Sequence, residues 1–376
     1  MTKKKKTLPK AGRVSIQDLI SVVNKKAGRA VAHDLTGENP TEVREWIPTG
    51  SRWLDSIICR GKVSGIPVGK VTEIAGLFST GKSYMAAQIA ANAQKMGKVI
   101  VYFDSESAID PEFLRRSGCD LNNLMYVQAT SVEFVLETIE DLLATADEHS
   151  LVFIWDSLAF TPCISDVEGD FNPQSSMAMK ARILAKGMSK LTIPIANKRA
   201  TFIVLNQLKT NIPQGPNARI QAMTTPYVTP GGKAMHYAYS LRIWLTGRKA
   251  KSSFVEDDKG FRIGSEVKIK LEKSRFGTQG RSCNFRILWG TKDVGIQCDE
   301  SLFEAVKSSD NLTSAGAWYT MKMGDGSEVK FQPSKWKEKM KEELFRNRVY
   351  DLMEEEVIQK FDQRTGKAED FYESDA

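Results

Sequence analysis

Val71-Thr-Glu-Ile-Ala75-Gly76-Leu-Phe-Ser-Thr-Gly81-Lys82-Ser83 decides the fold. Val71–Ala75 is a short apolar run rich in β-branched residues, which reads as a buried strand. Gly76 to Ser83 matches G-x-x-x-x-G-K-[ST] in full, and the stretch Ser83–Gln94 behind it reads as a helix. Strand, Gly-rich loop and helix in that order form a cradle for nucleotide phosphates. The glycines let the backbone close around the anion, and the N–H groups of Gly76, Ser79, Thr80 and Gly81 and of the helix N-terminus point at it. Lys82 brings a point charge to the β/γ-phosphates, and the Ser83 hydroxyl can ligate Mg²⁺. ATP and Mg²⁺ are therefore the expected cofactors.

Working outward, Val99–Phe103, Leu151–Trp155 and Phe202–Leu205 are further short apolar runs, each separated from the next by a long helical stretch. Buried strands alternating with helices predict an α/β fold, a P-loop NTPase core with a mostly parallel twisted sheet covered on both faces. Leu241–Leu245, Val267–Leu271 and Phe285–Leu288 lie closer together and predict antiparallel additions at one edge.

Hydrolysis needs an acid for the metal and a base for water. Leu151-Val-Phe-Ile-Trp-Asp156 is an apolar strand ending in an acid, the form of a metal-ligating Walker B, at the strand end where ligands bind in such sheets. Glu106, in Asp104-Ser-Glu106-Ser-Ala-Ile-Asp110-Pro111, follows another buried strand. Local pattern alone leaves it open between a water-activating base and a solvated loop carboxylate.

The 376 residues carry 41% hydrophobic and 26% charged side chains, enough apolar content for a sizeable core. A net charge of +7 points to a polyanionic partner. No run approaches the ~18 apolar residues of a membrane span, and the basic start Met1-Thr-Lys-Lys-Lys-Lys lacks an apolar segment behind it. Five scattered cysteines without a CxxC argue against a disulfide framework or a zinc site and for a reducing, cytoplasmic setting.

Ser15-Ile-Gln-Asp18 reads as a capping box, and Ile16, Leu19, Ile20 and Val23 form one apolar stripe behind it. Gly316–Val329 predicts a hairpin turning at Gly324-Asp-Gly, followed by a long amphipathic helix with Trp336, Met340, Leu344, Phe345, Val349, Leu352 and Met353 on one side. The expected organisation is a basic arm and oligomerisation helix over 1–45, an ATPase core over 46–290, a small α+β domain over 291–360 and an acidic tail over 361–376.

The segment Asp104–Pro111 closely resembles the D-A-E-H-A-L-D-P of RecA-family recombinases. In the same order follow Asp156-Ser157 with Thr161-Pro162, Asn206-Gln207, Gly231-Gly232-Lys-Ala234, Gly264-Ser265-Glu266 and Ala315-Gly-Ala-Trp-Tyr319. Divergence between these motifs and the compact size resemble the bacteriophage, UvsX-like branch. The resemblance implies an ATP-dependent DNA recombinase that forms a helical homo-oligomeric filament on single-stranded DNA and pairs it with double-stranded DNA. It also implies a single-strand-binding protein and a loading mediator as partners.

It implies roles for residues too. Glu106 falls where the water-activating glutamate sits, Asp110 and Phe113 where adenine is contacted, and Gln207 where the γ-phosphate is sensed. Lys273 and Arg275 match a pair that reaches the neighbouring subunit's ATP; by themselves they read as a solvated strand end. Asp166–Met177, with Phe171 as a wedge, corresponds to DNA loop one. Lys209–Pro230, with Lys209, Arg219, Met223 and Tyr227, corresponds to loop two, which Gly231 and Gly232 follow. Loop two lacks apolar periodicity and reads as a structureless stretch, either a functional loop or a surface one. Two departures from the family are Leu77-Phe78 for a usual Pro-Glu and Trp155 before the Walker Asp. A helicase-like ATPase of the same core, a RecA-fold paralogue without strand exchange, and a small-molecule kinase are the competing readings. The first lacks its appended domain here, the second sits poorly with complete catalytic residues, and the third gives Ala315–Tyr319 no role.

Overall fold

The computed structural model describes residues 15–37, 39–169, 176–212, 215, 218–247, 253–290 and 294–358, with backbone only at 176–178. The chain forms two compact units, Met1–Arg44 and Glu45–Ala376.

In the first unit, helix α1 spans Ile16–Ala27; Ser15 caps it, its Oγ accepting from the Asp18 amide at 3.1 Å. Ile16, Leu19 and Val23 are exposed, as is Val22, and Ile20 is half-exposed, so α1 buries none of its stripe within this unit.

The second unit is built on ten strands: β1 Val71–Gly76, β2 Val99–Asp104, β3 Leu124–Gln128, β4 Leu151–Asp156, β5 Thr201–Gln207, β6 Leu241–Gly247, β7 Phe254–Glu256, β8 Arg262–Ser274, β9 Ser282–Leu288 and β10 Gly295–Gln297. They line up as β10-β9-β8-β6-β1-β5-β4-β2-β3, with β7 on β8. From β6 to β3 neighbours run parallel, whereas β8, β9 and β10 add antiparallel at one edge. The continuous apolar runs have a physical cause. Ile100, Tyr102, Val152, Ile154, Ile203 and Leu205 belong to a core on one face. Val101, Phe103, Phe153, Trp155, Phe202 and Val204 belong to a core on the other. Each central strand alternates between two covered faces, so both sets must be apolar. Trp155 fits because its ring stacks on Phe202, centroids 6.3 Å apart, and its indole N–H donates to Thr161 Oγ1 at 2.8 Å.

The edge strand β3 was not foreseen. Its residues are half-exposed or exposed, although Leu124-Met-Tyr-Val127 is a short apolar run.

The end of the chain extends one expectation and corrects another. The expected hairpin is present, β12 Trp318–Lys322 antiparallel to β13 Glu328–Phe331, and a third strand, β11 Leu312–Ala315, pairs with β12 on its other side. The turn lies at 323–327 around Gly324-Asp-Gly as expected, with Met323 N–H donating to Ser327 O at 2.8 Å. The long helix is broken into a turn Trp336–Lys339, a helix Glu343–Leu352 and a π-turn Met353–Val357. The break at 340–342 re-phases the apolar face, so Leu344 is 79% exposed while Phe345 is 1% exposed. Phe345→Ala should therefore cost about 3–5 kcal/mol by denaturant unfolding, and Leu344→Ala less than about 0.5 kcal/mol. Comparable losses would mean that a continuous helix face is buried after all.

Candidate nucleotide and DNA site

β1 delivers the phosphate loop to the N-terminus of helix α2, Lys82–Lys95. Two glycines are required by contact. At Gly81 (φ +84°) a Cβ would lie 2.2 Å from Ile287 Cδ1, and at Gly76 it would lie 2.4 Å from Thr80 Oγ1. Thr80 Oγ1 in turn donates to Leu77 O at 2.8 Å, bracing the loop from inside. The Lys82 ammonium donates to Leu77 O at 3.1 Å. Burial lowers its pKa, and Asp156 and Glu106 act against that by favouring the charged form.

β4 ends in Asp156, whose Oδ2 accepts from Ser83 Oγ at 3.0 Å and from Tyr102 Oη at 2.9 Å. Burial pushes this carboxyl up, against the two hydroxyl donors, which pull it down. Ser83 and Asp156 fit a hard divalent cation: a hydroxyl and a carboxylate oxygen in mutual contact can share one coordination shell. No cluster of three His, Cys, Asp or Glu among the described residues could hold a metal alone. A cation here would therefore take its remaining ligands from phosphate and water, as Mg²⁺ does at nucleotides.

β2 ends in Asp104, whose carboxylate accepts from the amides of Glu106, Ala108 and Ile109 at 2.9–3.1 Å. Asp104 thus shapes the loop that presents Glu106, whose Oε1 accepts from Ser157 Oγ at 3.2 Å. Gln207, the last residue of β5, stands in register beside Gly76. One cavity of about 420 Å³ joins Ser79, Thr80, Gly81, Lys82, Ser83, Glu106, Asp156, Gln207 and Phe113.

The same cavity contains two aromatic residues the sequence reading missed. Tyr84 meets Phe113 edge-on at 4.7 Å and lies 6.5 Å from Trp289, which follows β9. Only the sheet order brings Trp289 to the loop. Asp110 does not line the cavity: its carboxylate caps the helix Pro111–Arg116, accepting from the Glu112 amide at 3.0 Å. A wider cleft of about 640 Å³, beside β9 and the helix Cys298–Val306, has no phosphate cradle.

Lys273 and Arg275 lie elsewhere. Arg275 N–H donates to Ser240 O, and Ser240 N–H to Val71 O, which places the pair at the N-terminal end of β1. The phosphate loop is at the other end of that six-residue strand, about 17 Å away at ~3.3 Å per residue. Lys273 Nζ donates to His236 O at 2.6 Å and an Arg275 guanidinium N–H to Tyr237 O at 2.7 Å. Burial, then the neighbouring Arg275 and Arg242, push the Lys273 ammonium down to about 8.

Loop two is ordered further than a structureless stretch. Lys209–Thr210 pairs antiparallel with Tyr227–Val228, and a helix forms at Ala218–Thr224. Asn211 closes the base, its N–H donating to Pro226 O and its side-chain amide to Thr225 O. Lys209, Arg219 and Met223 are exposed and Tyr227 half-buried. Ile212 and Ile220 join Met223 as exposed apolar tips, a signal legible in the sequence as apolar residues in a polar loop. Gly231 and Gly232, both at positive φ, open the next helix. In loop one, Asp166 belongs to the short helix Ile164–Glu168 and Met177 to the helix Ser176–Asn197; Phe171 lies outside the described residues.

The RecA N-terminal domain family matches residues 14–296, three quarters of the chain. Protein RecA of Fusobacterium nucleatum subsp. nucleatum is 31% identical over 319 residues, 84% of this chain and 78% of its own length. The chain belongs to the RecA family. Protein RecA of Chlamydia caviae is 28% identical over 341 residues, 90% of this chain and 91% of its own. That of Streptomyces avermitilis is 30% identical over 295 residues, covering 78% and 73%. These relatives are bacterial and give no support to a bacteriophage branch. The RecA-family match takes in the nucleotide cavity, loop two and β8 with Lys273 and the Arg275 that follows it, and it stops within β10. Among the described residues of this RecA-family chain, no helix is long and apolar enough to cross a membrane.

Proposed function

We propose that this RecA-family protein is an ATP-dependent DNA recombinase that assembles as a helical filament on single-stranded DNA and catalyses homologous pairing and strand exchange. The observation that carries this reading is a division. Lys82, Ser83, Glu106, Asp156 and Gln207 share one cavity, whereas Lys273 and Arg275 sit at the opposite end of β1. Stacking subunits head to tail would bring one subunit's cations to the next subunit's phosphates.

In this reading Gly76, Ser79, Thr80, Gly81 and Lys82 hold the triphosphate of ATP. Ser83 and Asp156 hold Mg²⁺, which supplies charge neutralisation at the phosphates. Glu106 takes the proton of the attacking water. Phe113, with Tyr84 and Trp289, contacts adenine, and Asp110 reaches the base from the rim. Gln207 senses the γ-phosphate. Lys209, Arg219, Met223, Tyr227, Gly231, Gly232 and Phe171 contact DNA, combining phosphate contacts with apolar side chains between bases. Residues 1–45 serve as the oligomerisation arm, 46–290 as the motor, 291–360 as a small C-terminal domain and 361–376 as a tail. A single-strand-binding protein and a loading mediator are the further partners in this reading, in the cytoplasm. A bacteriophage origin would rest on the divergence between the motifs alone and would make that cytoplasm a bacterial host's.

Electron microscopy with single-stranded DNA and a slowly hydrolysed ATP analogue tests the reading. Regular helical filaments are expected, and closed hexameric rings would favour a helicase-like ATPase. The exposed stripe of α1 needs a partner surface, here the next subunit. Deleting residues 1–35 should leave a folded monomer with little DNA-stimulated ATPase; filaments of normal length would remove α1 from assembly.

A further inference from the structure

Inside the sheet lies a buried polar cluster that none of the roles above uses. Glu73 stands mid-way along β1 and is 0% exposed. A carboxylate there is costly unless paired and hydrogen-bonded. Its register neighbour on β6, Arg242, donates from Nε to Glu73 Oε2 at 2.6 Å. On the other side, Asn206 of β5 donates from Nδ2 to Glu73 Oε1 at 2.9 Å. The two outer members then reach beyond the sheet to the same short segment. Asn206 Nδ2 also donates to Pro230 O at 3.0 Å, and an Arg242 guanidinium N–H donates to Thr229 Oγ1 at 2.9 Å. Thr229 Oγ1 also lies 3.2 Å from His236 Nε2. Asn206 Oδ1 accepts from the Gln207 N–H at 2.9 Å. One carboxylate therefore ties Gln207, at the nucleotide cavity, to Thr229-Pro230, where loop two rejoins the core.

Holding three strands together does not require this. An apolar pair of similar volume does so as well or better, because it avoids desolvating two charges. What an apolar pair lacks is direction. The bonds from Asn206 and Arg242 fix where Thr229 and Pro230 sit relative to Gln207.

We infer that Glu73 and Arg242 are positioning residues that hold the exit of loop two in register with Gln207, so that the state of the nucleotide is transmitted to the DNA loop. This rests on the reading of Gln207 as the γ-phosphate sensor and of Lys209–Pro230 as a DNA-binding loop. Neither Glu73 nor Arg242 lines the nucleotide cavity, so nucleotide binding and coupling to DNA are separable.

The test uses the full chain with Glu73→Met and Arg242→Met together, which removes both charges and leaves neither unpaired. Three quantities are measured: the thermal midpoint, binding of a fluorescent ATP analogue without DNA, and ATPase activity against single-stranded DNA concentration. Amide hydrogen exchange over 209–229 is followed in parallel with and without DNA and with and without the ATP analogue. The expected result is a midpoint at or above wild type, analogue binding within about twofold, and DNA stimulation reduced by about tenfold or more, the size of a typical coupling between sites. Exchange over 209–229 should become insensitive to the ATP analogue. A stable double variant with wild-type stimulation and wild-type exchange overturns the inference. If wild-type 209–229 gains no protection from DNA, the loop-two reading fails and takes the inference with it. Should the double variant not fold, Glu73→Gln keeps the shape and an oxygen for Arg242. It is expected to lose part of the DNA stimulation at unchanged analogue binding, and a proportional loss of both would make the cluster structural only.

Discussion

Replacing Lys273 and Arg275 together by alanine should abolish DNA-dependent ATP hydrolysis while leaving ATP binding by the isolated protein nearly intact. The pair lies at the end of β1 remote from the phosphate loop, and Gly76–Ser83 is untouched by the change. If the two cations stabilise charge on the γ-phosphate of the adjacent subunit, they act as an arginine finger does, worth on the order of a thousandfold or more in rate. Mixing this variant with Lys82→Ala protein tests the geometry directly. One variant retains the phosphate cradle and the other retains the cations, so some interfaces in a mixed filament are complete. Partial recovery of ATPase in the mixture is expected. No recovery, despite demonstrated co-assembly, would mean that the pair acts within its own subunit or only braces the strand end.

The same arrangement has a pH signature. The Lys273 ammonium is pushed down to about 8, so it is charged below that pH and neutral above it. A neighbouring phosphate favours the charged form and moves the loss somewhat higher. DNA-dependent ATPase should therefore fall as pH rises above 8. Lys273→Arg, which stays charged across that range, should flatten the decline. An unchanged alkaline limb in that variant would assign the loss to another group.

Glu106→Gln should bind ATP and form filaments but hydrolyse about 10²–10⁴-fold more slowly, the range a positioned general base contributes. The substitution is conservative in structure because the Glu106 carboxylate accepts from Ser157 Oγ, and a glutamine oxygen accepts equally well. The loop itself is held by Asp104 through three backbone amides. Filaments trapped with unhydrolysed ATP would identify Glu106 as the base. Loss of ATP binding with no trapped filament would instead make it structural, as Asp104 is.

Sequence patterning carried most of the fold. Four of the central strands were legible because both faces of the sheet are covered, which forces unbroken apolar runs such as Val99–Phe103 and Leu151–Trp155. The strand Leu124–Gln128 escaped although Leu124-Met-Tyr-Val127 is apolar, because so short a run does not by periodicity alone tell a strand from a helix segment. The helix after Phe331 was misread because a three-residue break at 340–342 shifts the phase of the buried face, and residue spacing presumes no break.

By itself the sequence determined the phosphate loop: strand, glycines, Lys82 and Ser83 are contiguous, and their geometry follows from the backbone of about a dozen residues. It also determined the apolar strand ending in Asp156, for the same reason. Tertiary structure alone decided which distant residues complete the site. Trp289 joins Tyr84 and Phe113 only because β9 lies on the side of the sheet extended by β8 and β6. Arg242 meets Glu73 across 169 residues because β6 is the parallel neighbour of β1. The cations of Lys273 and Arg275 fall at the far end of β1 because β8 runs antiparallel to β6. Strand order and direction are set by how whole faces are buried, a property of the assembled sheet that no local spacing of residues records.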